Sequence, residues 1–253
     1  MGKEFNNEAM DGIFAGTPPL EALRYIVHEA ATIRTGEDTH TKVIMINDVT
    51  RAFFEGPAVR QVCVELPDED ITSSDRSLDK VGHLPMSLYW TRDAAMNWQE
   101  EVAREMKKWG FKRGRYNPCL YWHPQSGLMT LVHGDDFVSV GRKDATDQVK
   151  KMLEARFEIK TQIIGAPGSE GGACASCVPG GLTGQRVQEG RVINRVVGWT
   201  AEGWEMEPDQ RHVDPFIKDL GLNRPFISIY PICFATTGIK QLYFHFIHTN
   251  IVV

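Results

Sequence analysis

The strongest fold signal in the chain is the segment Leu128-Met-Thr-Leu-Val-His-Gly-Asp-Asp-Phe-Val-Ser-Val140. Two runs rich in apolar and β-branched residues flank a Gly-Asp pair, which is the pattern of an antiparallel β-hairpin with a tight turn. We therefore expect a first strand over residues 128–133, a turn centred on Gly134 and Asp135, and a second strand over residues 136–140. The hairpin leaves two adjacent carboxylates at its tip.

The sequence on either side of this hairpin predicts further regular elements. A helix is expected to begin at Thr17, because apolar residues then recur every three to four positions. The run Lys42-Val-Ile-Met-Ile-Asn-Asp48 is short and β-branched, which is typical of a buried strand. A second helix should run from Thr91 to a stop at Gly110, and a third should span residues 144–157.

Composition divides the chain into five segments. Residues 1–16 are polar and are expected to form a flexible lead-in. Residues 17–164 contain the elements described above and form the predicted core domain. Residues 165–190 hold 8 of the 23 glycines, which indicates a linker or an insertion. Residues 191–222 predict a strand over 191–199 and a helix over 209–222 as a partial C-terminal extension, and residues 223–253 form an aromatic-rich tail.

The overall composition excludes several classes of protein. With 253 residues, 42% of them hydrophobic and 24% charged, the chain is neither wholly disordered nor a collagen, a coiled coil or a multi-span membrane protein. The net charge of −5 means that a nucleic-acid partner would need a local basic patch. Five cysteines and the lack of a signal peptide favour a reducing, intracellular compartment, cytoplasmic or nuclear. No membrane contact is expected, and the oligomeric state stays open.

Three aspartates stand out by their positions. Asp48 ends the predicted buried strand, and Asp135 and Asp136 occupy the hairpin tip. Neighbouring acids repel each other unless a cation lies between them. Mg²⁺ prefers a few carboxylates together with substrate phosphate oxygens, so these acids are suited to metal-assisted phosphoryl transfer. An ordinary polar β-turn is the alternative on spacing alone.

The three acids belong to four sequence blocks that occur in a fixed order. The blocks are Asp48-Val-Thr-Arg-Ala-Phe-Phe-Glu-Gly56, Ser87-Leu-Tyr-Trp-Thr-Arg-Asp-Ala-Ala-Met-Asn-Trp98, Trp109-Gly-Phe-Lys-Arg-Gly-Arg-Tyr-Asn-Pro-Cys-Leu-Tyr121 and Leu131-Val-His-Gly-Asp-Asp-Phe-Val138. Together they resemble the reverse transcriptase of copia-type retrotransposon polyproteins over residues 17–164, with a fainter similarity over 191–222. The resemblance implies an α/β (α+β) fold: a truncated polymerase palm with partial fingers, whose antiparallel sheet carries the acids and has helices packed on one face.

The resemblance also implies a function, that of an RNA-directed DNA polymerase fragment. Asp48, Asp135 and Asp136 match the family aspartates that hold two Mg²⁺ (or Mn²⁺) ions, and Asp136 matches the less critical of the pair. In the family these ions activate the primer 3′-hydroxyl and stabilise the leaving pyrophosphate. The implied partners are an RNA or DNA primer–template and deoxynucleoside triphosphates. A metal-dependent nuclease or phosphatase would use the same acids, but it would not account for the other blocks.

Two aromatic residues are implied to contact the nucleotide. Phe53 resembles the aromatic residue that reverse transcriptases place under the sugar, where a ring would clash with a ribose 2′-hydroxyl; core packing is the alternative. Trp90 replaces a family Gly beside the nucleotide and template, so its indole either fills the nucleotide pocket or points into solvent. His133 replaces the family Tyr before the double aspartate. A family fingers segment is expected to be missing ahead of residue 17, and these departures leave enzymatic activity open.

A cluster of cations between residues 104 and 116 is a further candidate site. It comprises Arg104, Lys107, Lys108, Lys112, Arg113 and Arg115, opposed within the segment by Glu105 alone. With Trp109, Phe111 and Tyr116 interleaved, it predicts a surface that binds phosphates and stacks bases. A solvated helix end is the alternative. The alternative function for the whole chain is an inactive retrotransposon remnant that binds nucleic acid through this segment.

The pair Cys174 and Cys177 has the spacing of two zinc ligands. No second pair follows at the spacing of a zinc finger or knuckle, so a zinc site is not expected. Cys119 lies in the Pro-Cys-Leu-Tyr part of the third block and is expected to be buried packing.

Overall fold

The computed structural model describes residues 14–32, 42–165, 189–200, 203–208, 214–215 and 218–219. The α-helices named in these ranges are α1 (Leu20–Ala31), α2 (Ser73–Ser77), α3 (Ala94–Lys108) and α4 (Lys143–Arg156), and a 3-10 helix spans Ala52–Glu55. The strands are β1 (Lys42–Val49), β2 (Pro57–Glu65), β3 (Val81–Met86), β4 (Lys112–Arg113), β5 (Leu120–Trp122), β6 (Met129–His133), β7 (Asp136–Arg142), β8 (Ile159–Ile164), β9 (Glu189–Val192), β10 (Arg195–Thr200) and β11 (Gly203–Pro208). The protein is therefore of the mixed α+β class.

The largest sheet has six strands in the order β4-β5-β6-β7-β1-β8, and every neighbouring pair is antiparallel. The predicted hairpin is confirmed as β6 and β7, with His133 paired to Asp136 across the turn. Gly134 in that turn has a φ of 59°, a conformation that glycine adopts without a steric penalty. The predicted strand ending at Asp48 is confirmed as β1, in the interior of this sheet.

Both faces of the six-stranded sheet are covered, so the expectation of helices on one face is wrong. Val43 and Met45 of β1 pack with residues of α3 and α4 on one side, which we call the α3 face. Ile44 and Ile46 pack with α1 and with the second sheet on the other side, the α1 face. The reason lies in β1 itself, because a strand that is apolar at successive positions needs cover on both faces.

The ends of the helices follow from local chemistry. Helix α1 begins at Leu20 rather than at Thr17, with Pro19 as its N-cap residue. Its C-terminal end is tied to β1 by the buried Lys42, whose Nζ donates to Glu29 Oε1 at 3.0 Å and to the Thr32 carbonyl at 2.8 Å. The stop predicted for the second helix is confirmed, since α3 ends just before Gly110, which has a φ of 89°.

Two smaller sheets flank the main one. The strand predicted over 191–199 is instead a hairpin, β9 and β10, that turns at Ile193 and Asn194 with φ of 48° and 54°. Strand β11 completes this three-stranded sheet, which packs against α1. Strands β2 and β3 form a separate hairpin whose connection is exposed and contains the short helix α2.

Several predictions lie outside the described residues. They concern most of the lead-in, most of the Gly-rich segment with Cys174 and Cys177, most of the helix expected over 209–222, and the tail 223–253. Cys119 is buried as expected. None of the helices in the described ranges is long and apolar enough to cross a membrane.

Candidate active site

Antiparallel pairing brings two of the predicted site acids side by side. Asp48, near the end of β1, is the direct cross-strand partner of Asp136, the first residue of β7. Directly opposed residues share one face of a sheet, with Cβ atoms roughly 5 Å apart. Asp48 follows Ile44 and Ile46 at a spacing of two, so both carboxylates lie on the α1 face. Asp135 is exposed in the adjoining turn.

The turn that carries Asp135 is held by backbone and core contacts. The indole Nε1 of Trp98 on α3 donates to the Gly134 carbonyl at 2.7 Å. The backbone N–H of Val49 donates to the Asp135 carbonyl at 2.9 Å, which links the turn to β1. Trp98 is itself buried and meets Phe137 and Phe157 edge-on. No local pattern in the sequence indicates this hydrogen bond.

The three aspartates form a site of concentrated negative charge. Burial, together with the negative charges of Asp135 and Asp48, raises the pKa of Asp136 to about 6. A cation at this position would relieve that repulsion, and carboxylate oxygens are the ligands that Mg²⁺ and Mn²⁺ prefer. The donor set therefore fits a hard divalent ion.

The acids do not form a complete metal cage. Among the residues that the structure describes, no three His, Cys, Asp or Glu side chains are grouped closely enough to hold an ion by themselves. Mg²⁺ usually takes one or two carboxylates and fills its remaining positions with water and substrate phosphates. The arrangement of Asp48 and Asp136 is of this partial kind.

Two further polar residues extend the row of carboxylates across the sheet. His133 on β6 is paired with Asp136, and Lys160 on β8 is paired with Asp48. The row thus reads His133, Asp136, Asp48, Lys160, with the lysine exposed at the outer strand. The importance of Lys160 was missed by sequence reasoning, because β8 was not recognised as a strand and its register was therefore unknown.

Phe53 is positioned by the 3-10 helix that follows β1. It is half-buried against the core of the α3 face, and its ring centroid lies 4.6 Å from that of Tyr89. Arg156 on α4 holds this helix in place, because it donates to Glu55 Oε2 at 2.7 Å and to Glu101 Oε1 at 2.9 Å. Phe53 thus has packing contacts, as the core alternative expects, without being fully buried.

Trp90 points into solvent instead of filling a pocket. Its side chain is 81% exposed, and its backbone φ is 76°. Left-handed backbone of this kind costs a non-glycine residue about 1 kcal/mol or more. The backbone therefore has the conformation that glycine favours.

The basic segment is less positive in three dimensions than in sequence. Arg104 forms an ion pair with Glu101, Lys108 with Glu105 at 2.6 Å, and Arg113 with Glu100 at 2.9 Å. Counting Glu100 and Glu101 lowers the net charge from +5 to +3. Glu100 and Glu101 lie on the same helix just before the segment, so the window of residues 104–116 omits them. In the described part of the chain, the remaining cations, Lys107, Lys112 and Arg115, form no ion pair.

The aromatic residues of this segment differ in their accessibility. Phe111 is only 4% exposed and belongs to the core, so the expectation that it stacks with bases is wrong. Trp109 packs partly against the same core, whereas Tyr116 is almost fully exposed. An amphipathic helix end buries the aromatic residues on its inner side, which a count of aromatic residues does not reveal.

The structure therefore places Asp48 opposite Asp136, with Asp135 in the adjoining turn, and leaves the basic segment on α3, β4 and the residues that follow. Phe53 and Trp90 lie on the segments that follow β1 and β3.

Comparison with known proteins identifies no relative: no family model, curated protein or solved structure matches this chain.

Proposed function

We propose that this chain is a reverse transcriptase fragment of a copia-type retrotransposon, an RNA-directed DNA polymerase that extends a primer 3′-hydroxyl. One observation carries the proposal: Asp48 of the first sequence block lies directly opposite Asp136 of the fourth, with Asp135 in the adjoining turn. A chance assembly of family-like blocks has no reason to place an acid of the first block opposite an acid of the fourth. The six-stranded antiparallel sheet is then the palm of the polymerase.

The proposed mechanism assigns each residue a separate task. Asp48, Asp135 and Asp136 would hold divalent ions, and bound ions would supply positive charge next to the attacking hydroxyl and the leaving pyrophosphate. The hydrogen bond from Trp98 to Gly134 keeps the turn fixed, so the carboxylates need little rearrangement to bind an ion. Phe53 discriminates against a ribose 2′-hydroxyl through the bulk of its ring. Trp90, exposed on the segment before α3, contacts the nucleotide or template from the side.

Metal binding and primer extension test this proposal. Mn²⁺ is titrated by calorimetry into the wild type and into Asp48→Asn, Asp135→Asn and, as a matched control, Asp70→Asn in the exposed connection between β2 and β3. We expect the two site variants to bind more weakly than the wild type and to lose Mg²⁺-dependent extension of a primer on an RNA template. The control should behave as the wild type. Equal metal binding by all four proteins would refute the proposal.

An inactive remnant that binds nucleic acid is the second candidate. The observation in its favour is that Lys107, Lys112 and Arg115 of the basic segment form no ion pair in the described part of the chain. For this candidate, a folded wild-type protein binds primer–template through residues 104–116 but extends no primer with Mg²⁺ or Mn²⁺. Extension that disappears in Asp48→Asn would exclude it.

A further inference from the structure

A groove of about 480 Å³ lies on the α1 face of the outer strands, away from the carboxylates. Helix α1 packs on β6, β7 and β1 but leaves β4 and β5, at one edge of the sheet, partly uncovered. As a result, Trp122 on β5 is 45% exposed and Tyr25 on α1 is 48% exposed, and both line the groove. Its volume is within the range of small-molecule binding sites.

The residues along the groove are adjacent because of strand register. Lys112 is paired with Trp122, and Trp122 is paired with Met129, so the three side chains lie in one row on one face. This row places an ammonium group beside an indole, with a flexible apolar side chain next to it. Gly127 adds open space, since nothing lies within 4 Å of the position that a Cβ atom would take there.

The chemistry of the groove suits a base joined to a phosphate. Tyr25 and Trp122 offer exposed aromatic rings for stacking, whereas the ring of Tyr121 is buried in the core of the α3 face. Lys112 is the single charged residue of the described lining, and no ion pair of the described chain includes it. One cation beside stacking rings matches one phosphodiester between bases, whereas a free nucleoside triphosphate would require more positive charge.

We propose that this groove binds single-stranded nucleic acid, with a base stacked on Trp122 and the adjoining phosphate at Lys112. The choice of nucleic acid over an acidic peptide as the ligand of the groove rests on the proposed function. The groove is a separate site from the carboxylates, because α1 covers Leu131, which lies between Met129 and His133 on the same face of β6. The basic segment thus contributes to binding mainly through the residue that faces this groove.

The test measures binding of a fluorescein-labelled oligothymidylate by anisotropy, in EDTA and over a series of salt concentrations. Trp122→Ala should weaken binding about tenfold, since stacking contributes about 1–3 kcal/mol per base, and Trp122→Phe should retain most of the affinity. Lys112→Gln should reduce the slope of log K against log salt by about 0.7, the value for one phosphate contact on a single strand. Lys151→Gln, an exposed lysine on α4, is the matched control and should change neither quantity.

The outcomes that overturn this proposal are distinct from those that overturn the proposed function. The proposal for the groove would be refuted if Trp122→Ala and Lys112→Gln both bound the oligothymidylate as tightly as the wild type. It would also be refuted if free thymidine monophosphate, or an acidic peptide, bound the wild type as tightly as the oligothymidylate. If Trp122→Ala fails to fold, Trp122→Phe and Lys112→Gln still test the proposal. If Asp48→Asn and Asp135→Asn bind Mn²⁺ as tightly as the wild type, the polymerase proposal fails, while oligothymidylate binding in EDTA still decides the groove.

Discussion

Replacing Asp136 by Asn should stabilise the protein at neutral pH when no metal is present. The carboxyl group is half-buried beside two other acids, and its pKa is raised from 3.8 to about 6. A rise of this size corresponds to about 3 kcal/mol for a fully buried group. Because part of the carboxyl group is exposed, solvent screening reduces the expected gain to about 1.5 kcal/mol. Asn keeps the size of the side chain and removes the charge.

The pH dependence of this gain has a definite sign. Between pH 3.8 and about 6, the folded state retains a proton on Asp136 that the unfolded state has lost. The free energy of unfolding of the wild type therefore falls as pH rises through this window. Below pH 3.8 the wild type and Asp136→Asn should be equally stable, and above pH 6 the full difference should be present.

Urea unfolding at a series of pH values measures this difference. We expect the wild type and Asp136→Asn to diverge between pH 4 and pH 6, and Asp70→Asn to show no such divergence, because that side chain is exposed. Saturating Mg²⁺ at pH 7.5 should stabilise the wild type more than Asp136→Asn, since the ion relieves the same repulsion. A difference independent of pH, or a less stable Asp136→Asn at pH 8, would refute the reasoning.

Three further expectations follow from single contacts. Trp90→Gly should raise the free energy of unfolding by about 0.5–1 kcal/mol, because the backbone φ of 76° at this position is unstrained only for glycine. An equal gain from Trp90→Ala would show that backbone conformation is not the cause. Trp98→Phe should lower the free energy of unfolding by about 1–2 kcal/mol, because the Gly134 carbonyl loses its hydrogen-bond donor. The same variant should weaken Mn²⁺ binding, whereas the control Trp204→Phe should leave Mn²⁺ binding unchanged. Lys160→Gln should tighten Mn²⁺ binding about threefold in calorimetry, because it removes the positive charge opposite Asp48. Unchanged affinity would mean that the lysine side chain points away from the carboxylates.

Local features of the chain could be predicted from the sequence alone. The hairpin of β6 and β7, the strand β1 and the end of α3 at Gly110 were all recognised. Each depends on residues that are near neighbours in sequence: an apolar period, a Gly-Asp turn or a glycine after the last helical turn. Such signals do not depend on how the rest of the chain folds.

The hairpin of β9 and β10 shows where local signals fail. Its turn uses Ile193 in a left-handed conformation, with a φ of 48°. Isoleucine is β-branched and rarely adopts that conformation, so the sequence indicated one continuous strand. Packing against α1 and pairing with β11 stabilise a turn that this residue would not select by itself.

The properties of the candidate site depend on contacts between distant segments. Strand register sets Asp136 between His133 and Asp48 and places Lys160 beyond Asp48, and it also sets Lys112 beside Trp122. Side-chain spacing within one strand indicates which residues share a face, but it says nothing about which residues of another strand lie opposite. The charge of Arg113 is likewise balanced by Glu100, thirteen residues earlier in the chain. These quantities arise only when the chain is folded, because electrostatic energy depends on distance in space and not on distance along the sequence.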